Sequence, residues 1–171
     1  MSILFAALGL LVAQPDATSP ARDRVFEGLD LCVAHMQGQA RSETIAGLEQ
    51  AGFMRVGVGR YEWSDGPGGE ADVLVYFASN QNPTAGTCGV RVSDGPISPE
   101  WLEEGLAAVT AQMGGDWTRA ERGAGGLGEQ SIGLTGPIWR VNGQMSRVLD
   151  LADGPIGERT LSFFLSPASA D

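Results

Sequence analysis

The stretch that decides the fold opens as VFEGLDLCVAHM (Val25–Met36) and closes as TCGVRV (Thr87–Val92), and it holds both cysteines of the chain. In the first segment the apolar residues fall at 25, 29, 32/33 and 36, the spacing of one helical face. In the second, Cys88, Val90 and Val92 alternate with polar neighbours or glycine, the period of a half-buried strand. If the two sulfurs meet, Cys32 on a helix is tied to Cys88 on a sheet. That single bond then fixes how the first half of the chain is layered.

Working outward, Gly38 ends the first helix and Ser42 is placed to cap a shorter one with Ile45 and Leu48 inward. Gly52 suits the position just past its end, with Phe53 folding back onto the last turn. Three strands follow. Phe53–Trp63 carries Met54, Val56 and Val58, then changes phase to Tyr61 and Trp63, which predicts a bulge at Gly59. Ala71–Ser79 sets Val73, Val75 and Phe77 on one face and Leu74 and Tyr76 on the other. Thr87–Ser93 is the third. Ser64–Glu70 and Asn80–Gly86 read as a turn and a loop, and Thr18–Asp23 as a linker.

The second half begins with a well-signalled helix. Ser98 stands as N-cap, Pro99 as first residue, and Glu100, Glu103 and Glu104 favour the positive end of the dipole. Leu102, Leu106, Val109 and Met113 form its buried stripe, and Gly114–Gly115 stops it. Strands are predicted near Asp116–Arg122, Glu129–Leu134, Ile138–Asn142, Met145–Leu151 and Glu158–Leu165, the last the most apolar and central, and Pro167–Asp171 as a tail. The fold class is therefore α+β: an antiparallel sheet with helices on one face, ordered α-α-β-β-β-α-β-β-β(-β-β), with an αβββ pseudo-repeat.

The chain has 171 residues, which predicts one domain over residues 18–171 after an export signal over 1–17. The signal reading rests on Ile3–Ala13 (ILFAALGLLVA), an uncharged run. As a helix it covers only about 16 Å, against about 30 Å of hydrocarbon to span. Cleavage after Ala13 or Ala17 fits, and no Cys follows to carry a lipid. No membrane span is expected in the mature chain, and the place is periplasmic or secreted. There, two cysteines predict one disulfide, Cys32 to Cys88. The competing reading puts zinc on Cys32, His35 and Cys88, since Cys32 and His35 stand three apart on one helix.

The net charge is −10, and all 11 basic residues are Arg. The charge opposes nucleic acid and anionic membrane as partners, and the lack of Lys removes Schiff-base and Walker-type phosphate chemistry. Gly123–Gly128 (GAGGLG) spells a dinucleotide-binding pattern. Yet a polar run precedes it, and Gly133, Gly136 and Pro137 follow where a helix would have to begin. No cofactor is implied. Asp-Gly-Pro recurs at Asp65–Pro67, Asp94–Pro96 and Asp153–Pro155 as turn punctuation. Calcium at Asp65, Glu70 and Asp72 lacks the oxygen count and the loop spacing. His35, the only histidine, has no nucleophile motif beside it. Glu103 and Glu104 point different ways on their helix, and Trp63, Trp101, Trp117 and Trp139 offer a lining for a ligand cleft but better suit core and sheet-surface roles.

Catalytic residues are thus not identified. The leading expectation is an exported domain that binds a protein or small ligand through a cleft or an exposed sheet face, without catalysis. Two alternatives stand beside it: a carboxylate-based hydrolase of cell-wall or sugar material, and an acidic inhibitor or immunity-type protein that caps a basic site.

Overall fold

A computed structural model of the chain describes residues 19–65, 71–78, 87–93, 95, 97–122, 130–147 and 159–168. The apolar run 3–13, the loops 80–86 and 123–128 and most of the Asp-Gly-Pro turns lie outside them.

The first helix, α1 (Pro20–Met36), starts earlier than its apolar stripe suggests. Thr18–Asp23 is not a linker throughout: Pro20 enters the first turn, where its missing N–H costs nothing, and Ala21 is already buried. Val25, Leu29, Cys32, Val33 and Met36 form the inward face, as the spacing predicts. Gly38, at φ +105°, turns the chain out of it.

The second helix, α2 (Arg41–Gln50), is capped by Ala40 and not by Ser42. Thr44 takes the inward position, fully buried, and its Oγ1 donates to the Ala40 carbonyl at 3.3 Å. Leu48 is fully buried and Ile45 half-buried. At the far end Gly52 adopts φ +86°, its N–H bonds Glu49 O, and the Phe53 N–H bonds Leu48 O at 2.9 Å. Phe53 then folds into the core, the arrangement its position after Gly52 predicts.

Where one bulged strand was expected over 53–63, the chain makes a hairpin of β1 (Met54–Gly57) and β2 (Arg60–Ser64). Gly59, at φ +66°, is in the turn, and the irregularity sits at Arg55–Gly57. β3 (Asp72–Ala78) and β4 (Thr87–Ser93) follow, so the first half has four strands, not three.

The third helix is α3 (Glu100–Met113). Its first helical residue is Glu100 and not Pro99, although Ser98 Oγ still accepts the Glu100 N–H at 3.3 Å. After it come β5 (Thr118–Arg122), β6 (Gln130–Thr135), β7 (Trp139–Arg147) and β8 (Arg159–Pro167). The two strands expected at 138–142 and 145–151 are one, because Gly143 is a strand residue. Its bare Cα admits the Leu102 and Leu106 side chains of α3. Pro167 belongs to β8, and the tail starts after it.

All eight strands form one antiparallel sheet in the order β1-β2-β3-β4-β8-β7-β6-β5. β8 is central, as its apolar run predicts. The helices pack together on one face, α1 across β3, β4 and β8 and α3 against β7. Val73, Val75, Cys88, Val90, Phe163 and Leu165, among others, point to that side with no exposed surface. Two helical glycines set the spacing: Gly28 lies on Val75 and Val90, and Gly105 lies on the Phe163 ring. Side chains there would push the layers apart. The architecture is the α+β arrangement that the sequence predicts.

Candidate functional site

The residues that looked most reactive are built into the scaffold. Cys32 and Cys88 are joined in a disulfide, with Cα atoms 5.5 Å apart and no exposed surface on either. Both sulfurs are consumed in that bond, so neither offers zinc a thiolate, and the Cys32–His35–Cys88 metal reading falls away. Cys88 sits opposite Phe77 in the β3–β4 ladder, and the Phe77 ring meets His35 edge-on at 5.0 Å. Burial holds the His35 imidazole below its usual range. The nearby Arg41 charge acts in the same direction, and a backbone hydrogen bond at Gln39 opposes both. His35 Nδ1 is buried with no partner among the described residues.

The paired carboxylates of α3 are separated by their partners. Glu103 accepts two hydrogen bonds from Arg119 of β5, at 2.8 and 2.6 Å, while Glu104 pairs with Arg22 of α1 at 2.8 Å. Arg119 holds the Glu103 carboxyl below the ordinary carboxylate range. Such exposed pairs fasten α3 to its neighbours weakly. The tryptophans serve packing. Trp101 is buried on α3, and Trp63, Trp117 and Trp139 pack against the core from three different elements. Arg24 covers the Trp63 ring, and Trp117 Nε1 donates to Gly114 O.

The other side of the sheet is different. Among the described residues, no helix covers it. Strand pairing lays its side chains out in rows across the strands. One row runs Arg60, Tyr76, Gly89, Phe164, Asn142, Gly133. The next runs Met54, Glu62, Leu74, Arg91, Ser162, Gln144. At the centre the Tyr76 ring lies down over Gly89, so close that a methyl group there would overlap it. This brings Tyr76 of β3 to Phe164 of β8 across the intervening strand, with ring centroids 6.4 Å apart and planes within 26°. Both rings are half-exposed. Burial raises the Tyr76 phenol above its ordinary range, and the neighbouring Arg91 charge opposes that shift. Asn142 repeats the posture on a smaller scale, with its Oδ1 over Gly133. Of the three buried polar atoms lacking partners among the described residues, Arg140 Nε and Thr160 Oγ1 both belong to strand positions on this face.

Charge divides between the two sides. The three helices carry eight carboxylates against three arginines. On the uncovered sheet face the described charged side chains include Arg60, Arg91 and Arg140 against Glu62 and Asp72. The aromatic centre of the face is therefore rimmed by arginine in an otherwise acidic chain.

The sequence placed Tyr76 and Leu74 on a face opposite the core, but did not bring Phe164, Gly89 or Arg91 to them. The available signal was that β3 and β8 carry large apolar residues on both sides, although only one side of an antiparallel sheet needs them. Comparison with known protein families, with curated proteins and with solved structures finds no match for this chain. Among the described residues no group of His, Cys, Asp and Glu is arranged to hold a metal ion, and no helix is long and apolar enough to cross a membrane.

Proposed function

We propose that this chain is an exported binding domain, acting in the periplasm or outside the cell without catalysis, and that its contact surface is the uncovered sheet face centred on Tyr76 and Phe164. The observation that carries the reading is the aromatic pair itself. Two large rings lie within 26° of parallel, 6.4 Å apart, on the face that no described helix covers, and Gly89 makes room for the Tyr76 ring. A sheet needs one apolar face to pack its helices; a second apolar centre, rimmed by polar and charged groups, is the composition of a contact site. Export is supported by the Cys32–Cys88 bond, which persists in oxidising compartments, and by the apolar run at 3–13. A hydrolase finds less support, since Glu103 and Glu104, the adjacent carboxylates, are committed to Arg119 and Arg22.

The test is site-specific photo-crosslinking in the source cell, with benzoylphenylalanine in place of Tyr76 and, separately, in place of Glu43 on α2. An adduct formed from position 76 and not from position 43 supports the sheet face. Adducts from position 43 alone refute it.

A further inference from the structure

We infer that the uncovered sheet face takes an acidic polysaccharide, a chain of carboxylate-bearing pyranose rings laid across the strands. This rests on the sheet-face reading above and names its ligand. Three observations lead there.

The first is shape. Tyr76 and Phe164 come from strands two apart, yet their rings lie within 26° of parallel with centroids 6.4 Å apart, because Gly89 between them has no side chain and the Tyr76 ring lies over it. The result is a half-exposed aromatic shelf on this face. A shelf of π faces, each negative at its centre, attracts the weakly positive C–H face of a sugar ring.

The second is the rim. Arg60 and Asn142 flank the shelf along its own row, and the adjacent row runs Glu62, Leu74, Arg91, Ser162, Gln144, so two arginines stand against one carboxylate beside the rings. Arg60, Arg91, Asn142 and Gln144 are exposed. Amides donate and accept, which suits hydroxyls, and a guanidinium matches a carboxylate with two parallel hydrogen bonds. A ligand whose repeat combines a C–H face, hydroxyls and a carboxylate matches the rings, the amides and the arginines together.

The third is the field of the whole molecule. The helical side is rich in carboxylates, so an acidic chain is repelled there and admitted at the arginine-bearing face. A peptide strand docks best at a sheet edge, where backbone groups are free. At the middle of this sheet the backbone is engaged in ladders on both sides, and only side chains are on offer.

The experiment is an NMR titration of the isotope-labelled protein with four probes: an α-1,4-linked hexagalacturonate, the neutral hexagalactose of the same linkage, a thymidine hexanucleotide and a pentaglutamate peptide. The hexagalacturonate is expected to shift the amide signals of residues 60, 76, 89, 91, 142 and 164, with an affinity that falls as salt is added. The neutral chain should bind more weakly. Arg91→Gln, an exposed change that leaves the core intact, should weaken hexagalacturonate binding about tenfold or more, the scale of a lost charged hydrogen bond. Tyr76→Ser should weaken both sugars. Failure of the hexagalacturonate to shift this face, or binding that Arg91→Gln leaves unchanged, overturns the inference. If the nucleotide or the peptide shifts the same residues more strongly, the ligand class is wrong while the binding face stands. If no probe shifts the face and position 76 yields no adduct, both readings fall.

Discussion

Removing the Cys32–Cys88 bond is the perturbation whose size follows most directly from the structure. The bond joins residues 56 apart in sequence and ties α1 to β4 at the centre of the sheet. In the chain-entropy description, its effect lies mostly in the unfolded state. A closed loop of this length removes about 14 cal/mol/K of disorder, or about 4 kcal/mol at 25 °C. The Cys32→Ala/Cys88→Ala protein should lose that amount and about 1 kcal/mol more, because two fully buried sulfur atoms leave a void. The fold should survive, since Val25, Leu29 and Val33 still seat α1 on the sheet. Urea denaturation of the oxidised wild type, the fully reduced wild type and the double variant separates the two contributions. The reduced protein, refolded with its thiols protected, isolates loop closure. It should also show the steeper dependence on urea of a more expanded unfolded state. For a chain of this size the melting temperature should drop by about 8–16 °C. A loss under about 1 kcal/mol in the reduced protein would refute the loop-entropy reasoning, and with it the claim that this bond is the main staple of the first half.

Three further outcomes follow from individual contacts. Gly105→Ala should destabilise by about 1–3 kcal/mol although alanine favours helix, because its methyl group meets the buried Phe163 ring. Gly47→Ala meets only the end of the Leu31 side chain and should be neutral or stabilising. Thermal melts that rank the two in the opposite order would show that α3 does not approach β8 as described. Gly52→Ala forces a side chain into φ +86° and should cost about 1–2 kcal/mol by urea denaturation, so an unchanged midpoint would remove the left-handed cap. The pH dependence of stability should carry the signature of His35, the only histidine. Its pKa is lowered in the fold, chiefly by burial, so the folded state takes up a proton less readily than the unfolded one. That contribution is complete above the unfolded value of about 6.5 and is lost progressively as pH falls from there through the lower folded-state value. Stability curves of wild type and His35→Gln should therefore diverge below about pH 6.5, the variant being flatter. Parallel curves would show that the ring is not desolvated.

The helices and the core were legible because their signals are local. Val25, Leu29, Cys32 and Met36 repeat at the helical period, and the Gly52–Phe53 pair writes its own cap. β8 was legible as central because Leu161, Phe163 and Phe164 leave little polar surface for an edge. The two errors in strand number share a cause: a glycine's neighbours were not legible. Gly59 was read as a bulge within one strand. It turns a hairpin instead, because a turn containing Val58 has none of the Asn-Gly or Asp-Gly chemistry that marks such turns. Gly143 falls between the two strands expected at 138–142 and 145–151, and is the opening that admits Leu102 and Leu106. The candidate site was beyond reach for a stronger reason. Tyr76, Gly89 and Phe164 meet only through the β3–β4 and β4–β8 registers, and register is a property of the closed sheet.

Those same registers show why the uncovered face, and not the core, is where function should be sought. The sheet is two four-strand meanders, each preceded by a helix, joined by their last strands β4 and β8. The pairing therefore relates the halves by an approximate twofold through the β4–β8 ladder. Under it Val90 exchanges with Phe163, Tyr61 with Ile132, and the helical Gly28 with Gly105. On the helix-covered face the exchanged residues keep their character, apolar for apolar and glycine for glycine, because both halves must seat a helix at close range. On the uncovered face the same operation exchanges Tyr76 with Gln144, Gly89 with Ser162, Arg91 with Phe164, and Leu74 with Asn142. Nothing in the packing of the sheet requires those differences, since no described helix rests on them. The asymmetry gives the face one aromatic shelf, with Arg60 and Arg91 toward one side and Asn142, Gln144 and Arg140 toward the other. Such asymmetry is what a face needs if it is to hold the proposed ligand in one direction, which a symmetric face could not impose.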